Sequence, residues 1–130
     1  MDNAILVGPN IDAGKRLLKA LDAANIRVDA AFWFYREASE DWRLYIATPL
    51  VGELGPRNVY SKVLDVLREN QIQDLDFWKI SVIDVTDSLV TVLRFAVSTD
   101  AGISDISVNG NSVNGVYIRA AHIYRMHLTA

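Results

Sequence analysis

Apolar residues first recur at helical spacing at Ile11, Leu17, Leu18, Leu21 and Ala24, with Asp12, Lys15, Lys19 and Asp22 elsewhere on the wheel. The pattern predicts a helix from about Ile11 to Ala24. Asn10 suits its N-cap, Asp12 suits the positive end of its dipole, and Asn25 suits the left-handed residue that closes it. From Ile26 to Glu37 the period shortens to two: Ile26, Val28, Ala30, Phe32 and Phe34 alternate with Arg27, Asp29, Ala31, Trp33 and Tyr35. After a polar break at Ala38–Asp41, Trp42, Leu44, Ile46 and Thr48 alternate with Arg43, Tyr45 and Ala47 up to Pro49, so the two runs predict an antiparallel hairpin. Gly52–Pro56 reads as loop. Pro56 then opens a second helix with an apolar stripe of Val59, Tyr60, Val63, Leu64 and Leu67, ending near Asn70.

A third strand is expected from about Phe77 to Val85, with Trp78, Ile80 and Val82 on one face. Thr86 to Val97 fits both periods. As a helix capped by Asp84 or Thr86 it presents Val85, Leu89, Val92, Leu93 and Ala96; as a strand it alternates Leu89, Thr91, Leu93, Phe95 and Val97. Helix is favoured, because Thr86-Asp87-Ser88 resembles a helix entry. Two last strands, about Ile103 to Val108 and Val113 to Leu128, flank the turn-rich Asn109–Ser112, and Ala120-Ala121 marks a bend or bulge in the longer one. The order is therefore αββαβαββ. It predicts an α+β fold over residues 1–130, with two or three helices covering one face of a mostly antiparallel sheet.

Composition narrows the function classes. A chain of 130 residues is one domain, and 51% hydrophobic with 22% charged residues supplies one core. With no cysteine there are no disulfides, thiolate nucleophiles or thiolate metal sites, and a reducing, cytoplasmic setting is expected. The longest apolar run, Ala30 to Tyr35, falls far short of the about 20 residues of a membrane helix. A net charge of −3 gives no general pull toward nucleic acid or anionic lipid.

Several motifs resemble chemistry and fall short of it. Gly8 and Gly14 of Gly8-Pro9-Asn10-Ile11-Asp12-Ala13-Gly14-Lys15-Arg16 are spaced one residue too widely for a phosphate-binding loop, and Arg16 stands where the magnesium-binding hydroxyl belongs. Asp76 and Lys79 lie on opposite faces of a strand, and the carboxylates Asp29, Glu37, Glu40 and Asp41 mostly flank a turn, so no metal site is expected. His122 and His127 are separated by an odd number of strand positions and do not converge. No cofactor is implied.

The aromatic hairpin is more informative. A register with Phe34 opposite Leu44 and Phe32 opposite Ile46 makes one face uniformly apolar, whereas a slip that sets Arg36 against Arg43 opposes like charges. The favoured register gathers Trp33, Tyr35, Arg43 and Tyr45 on the other face. That face is either covered core, a self-association surface, or a platform on which Arg43 holds a phosphate or carboxylate. The run Trp42–Pro49, with Gly55-Pro56, Tyr60, Asn114-Gly115-Val116 and Ile123-Tyr124-Arg125, resembles a group of small bacterial proteins. That resemblance implies a bacterial source and a stand-alone domain, and no activity or site. The residues themselves point to a non-enzymatic module that forms a homodimer, or binds another protein, through Trp33, Tyr35, Arg43 and Tyr45. The alternative is a small nucleic-acid-acting or ligand-converting enzyme whose site is built from Arg43, Tyr45, His122, Tyr124 and Arg125.

Overall fold

Alternation and helical stripes place most of the elements. The structure, a computed structural model, describes residues 5–128. It contains α1 (Gly8–Ala23), β1 (Ala30–Arg36), β2 (Asp41–Ala47), α2 (Leu50–Leu54), α3 (Pro56–Glu69), β3 (Ile80–Ile83), α4 (Ser88–Ala96), β4 (Ile106–Val113) and β5 (Val116–Met126). This is an α+β fold. Its five-stranded sheet has the order β3-β2-β1-β5-β4 and is mixed, because β2 and β3 run parallel while the other neighbours are antiparallel. Parallel neighbours need a crossover, here made by α2 and α3. The short α2 lies where only loop was expected.

Helices lie on both sides of the sheet, not on one. On one side Ala13, Leu17, Leu18 and Leu21 of α1 and Val59, Val63, Val66 and Leu67 of α3 pack on Ala31, Trp33, Leu44 and Ile46. On the other, Val90 and Leu93 of α4 pack on Ala30, Phe32, Ala47, Val108, Ala121 and Ile123. The strands are therefore apolar in both directions, which an alternation template reads as one-sided. Among the described residues no helix is long and apolar enough to cross a membrane.

The local ends follow from local chemistry. Pro9, fixed at a helical φ, lets α1 begin at Gly8 instead of Ile11, with Val7 as its N-cap in place of Asn10, and Asn25 adopts the left-handed conformation (φ 60°) just beyond it. Asp87, not Asp84 or Thr86, caps α4: its Oδ1 accepts from the Leu89 N–H at 2.9 Å. Phe77–Lys79 forms a 3₁₀ turn, so β3 is shorter than expected and Trp78 is exposed instead of sharing a face with Ile80 and Val82. The last hairpin turns at Asn114-Gly115, both residues at positive φ (49° and 81°), the pair that a tight two-residue turn requires. Asn109–Ser112 lies within β4.

Two register features set the positions of the candidate residues. In the first hairpin Phe34 faces Arg43, Trp33 faces Leu44 and Phe32 faces Tyr45, one residue away from the expected pairing. The observed register sets Arg36 opposite Asp41, where Nε and Nη2 donate to the two carboxylate oxygens at 3.1 and 2.9 Å. In the β1–β5 pairing Ala31 faces Arg125 but Phe32 faces Ile123, which leaves Tyr124 as the extra residue of a bulge. Ala120 and Ala121, the expected bulge, pair regularly with Asn109 and Val108.

Candidate functional site

A one-residue slip exchanges the faces of every side chain on β2 relative to β1. The four residues expected on one outer face are accordingly divided. Trp33 is fully buried on the α1 side and Tyr35 nearly so, its ring edge-on to Trp42 at 5.5 Å, whereas Arg43 and Tyr45 lie on the α4 side. The shared face of Trp33, Tyr35, Arg43 and Tyr45 does not form.

On the α1 side the polar groups form closed sets. The Trp33 indole N–H donates to the Tyr124 hydroxyl at 3.0 Å, and that hydroxyl donates to the Ile11 carbonyl at 2.5 Å. Burial pushes the Tyr124 hydroxyl pKa far up. Gly14, which resembled part of a phosphate loop, serves this contact: a Cβ there would stand 2.5 Å from the Tyr124 oxygen and 2.8 Å from the Trp33 nitrogen. Arg125 is buried and holds both oxygens of Asp22, at 3.0 and 2.8 Å, and the carbonyls of Val28 and Gly102. His122 meets Asp105 at 3.0 Å, and Lys15 pairs with the same carboxylate, whose pKa it holds down with His122 adding to the effect. His127 meets the Thr99 carbonyl instead. A cleft of about 480 Å³ is lined by Asp22, Arg27, Asp29, Arg125 and His127, but its arginines and carboxylates already grip one another. Arg43 and Tyr45 are across the sheet from His122, Tyr124 and Arg125, so these five do not surround one opening.

The α4 side is less complete. The nine residues of α4 cover one part of the sheet and leave Phe34, Arg43 and Tyr45 half-buried. Tyr45 stacks on Phe32 with ring centres 5.4 Å apart and meets Phe34 edge-on at 6.4 Å; burial raises its hydroxyl pKa. Arg43 donates from Nη1 to Ser81 Oγ at 2.9 Å and to the Trp78 carbonyl at 3.4 Å, while its buried Nε has no partner. Among the described residues Arg43 makes no ion pair with a carboxylate. The nearby Asp41 is held by Arg36, which lowers its pKa, and by Ser39. Trp78, whose carbonyl touches Arg43, is 65% exposed.

This patch of Phe34, Arg43 and Tyr45, bordered by the Trp78 backbone carbonyl, offers a hydrogen-bond donor and aromatic surface but, among the described residues, no nucleophile with an adjacent base. Sequence reasoning named Arg43 and Tyr45 for it but missed Phe34 and Trp78. The usable signal was Arg36 and Asp41 on either side of a short polar turn, which fixes the register and hence the face. No protein-family model, curated protein or solved structure matches the chain.

Proposed function

We propose that the protein is a small non-enzymatic interaction module that self-associates as a homodimer through the open aromatic side of its sheet. The observation that carries this reading is Phe34 and Tyr45 beside Arg43, a half-buried guanidinium whose hydrogen bonds, among the described residues, go to neutral oxygens, one of them the backbone carbonyl of the exposed Trp78. Tryptophan, tyrosine and arginine dominate the binding energy of protein interfaces. A two-fold interface uses each side chain twice, so the exposed parts of these aromatics supply a share of the roughly 1,000 Å² of a specific contact. A chain with no cysteine is at home in a reducing compartment, and we place it in the cytoplasm.

Light scattering at micromolar concentration tests the reading. The wild type is expected to be a dimer, and Trp78→Glu a monomer with unchanged circular dichroism, since an exposed residue is replaced and no core is opened. A wild type that is monomeric throughout the micromolar range sinks the reading.

A further inference from the structure

Two arginines of this chain show how its guanidinium groups take up a carboxylate. Arg27 holds Asp29 with Nε and Nη2, at 2.9 and 3.2 Å, and Arg36 holds Asp41 with the same two nitrogens, at 3.1 and 2.9 Å. These two parallel donors match the spacing of carboxylate oxygens. In Arg43 that edge has no hydrogen-bond partner among the described residues: both of its hydrogen bonds leave from Nη1, and Nε is covered without an acceptor. A desolvated donor left unpaired is costly, more so on a charged group, so an acceptor that reaches it recovers that cost.

A matching carboxylate lies close by in the chain. Glu40 is exposed in the hairpin turn, at φ 52°, and among the described residues its side chain makes no hydrogen bond or ion pair. The other acids of this hairpin end are occupied, Asp41 by Arg36 and Ser39, and Glu37 by Arg119 at 3.9 Å. Glu40 and Arg43 are three residues apart, roughly 10 Å along an extended strand. An isologous dimer brings residue i against j and j against i, so both must lie near the axis. An empty arginine edge and an unpaired carboxylate on one hairpin end meet that condition.

We infer that Glu40 of a second copy fills the Nε/Nη2 edge of Arg43, and the reverse, about a two-fold axis beside the hairpin turn. This rests on the self-association reading and names its central contact. Nε is covered in the single chain, so docking includes a rearrangement of side chains at the patch, as is common at interfaces.

Sedimentation equilibrium of the full chain, with Glu40→Lys, Arg43→Glu and the double swap, tests the pairing. Each single reversal is expected to weaken dimerisation by at least about thirtyfold, and the double swap to restore it to within about threefold, because opposed like charges become an ion pair again. Glu40→Lys changes an exposed turn residue and keeps the test valid even where Arg43→Glu fails to fold. A wild-type dimer that Glu40→Lys leaves intact overturns the pairing while self-association stands, and so do two weakened singles with no rescue. A wild type that stays monomeric removes both. If that monomer gains thermal stability from acetate at constant ionic strength, and Arg43→Gln loses the gain, the edge belongs to a carboxylate of another molecule and the reciprocal contact is wrong.

Discussion

Under α1 and α3 the sheet is sealed: Trp33, Leu44 and Tyr124 are fully buried, and Trp33, Tyr124 and Arg125 all find partners. Beneath α4 the same sheet is only partly covered, Phe34 and Tyr45 keep contact with water, and Arg43 carries an unpartnered nitrogen. The two sides are cut from the same strands, so composition does not separate them. Helix length does: α1 has 16 residues and α3 has 14, against nine in α4. Where two long helices close a side, buried polar groups must be satisfied internally. Where one short helix leaves part of it open, an incomplete group persists, and a partner gains most by docking there.

Truncating one aromatic on each side gives the largest expected difference. Trp33→Ala empties a fully buried site and leaves the Tyr124 hydroxyl oxygen without its indole donor, so urea unfolding is expected to show a loss of about 3–5 kcal/mol. Phe34→Ala, on the half-open side, is expected to cost about 1–2 kcal/mol, since its ring is only partly buried. Equal losses would mean that the open side is packed as tightly as the sealed one.

Removing one arginine from each side is expected to do less. Arg125→Met leaves Asp22 without its bidentate partner and two carbonyls without a donor, a cost of about 3 kcal/mol by chemical denaturation. Within the single chain Arg43→Met removes two hydrogen bonds to neutral oxygens and an Nε that has no acceptor, so its cost at a concentration that keeps the protein monomeric is expected to be about 1 kcal/mol. A large loss at Arg43 would show that its neutral contacts hold the fold together.

Acid gives the smallest effect. Lys15 and then His122 hold Asp105 below the ordinary carboxylate range, and Arg36 does the same for Asp41. A carboxyl depressed in the folded state is protonated earlier in the unfolded chain. Its contribution is therefore complete above the unfolded value, about pH 4, and is lost as pH falls through the folded one. Asp105→Asn and Asp41→Asn should each flatten the decline of melting temperature below pH 4 and leave the neutral-pH slope unchanged. A steeper decline in either variant would reverse the assigned direction.

Periodicity carried most of the fold. The α1 and α3 stripes, the hairpin alternation and the choice of helix for α4 all rest on neighbours within a few positions, where side-chain geometry repeats. The parallel β2–β3 pairing was not legible, because nothing in Ile80–Ile83 marks which strand it will join. Register failed more instructively. Of the two slips from the apolar pairing, one opposes Arg36 to Arg43, and the other opposes Arg36 to Asp41 and satisfies both charges. That second slip also separates Trp33 from Tyr45, which the apolar pairing puts on one face. For the candidate site, Arg43 and Tyr45 were visible by residue type, but Trp78 was assigned to a strand because Phe77–Lys79 shares its aromatic content with one.

The position of β1 at the centre of the sheet also sets a timetable. Its pairing with β2 closes within a few residues, but its other edge waits for β5, and Trp33 meets Tyr124 across 91 positions of chain. At roughly 5–20 residues per second of synthesis, that interval is on the order of 5–20 seconds. Throughout it the hairpin exposes an unpaired strand edge with Phe32 and Trp33 beside it, the combination most prone to join a neighbouring chain. Arg36 and Asp41, already paired across the hairpin, hold the register while the rest of the molecule is made.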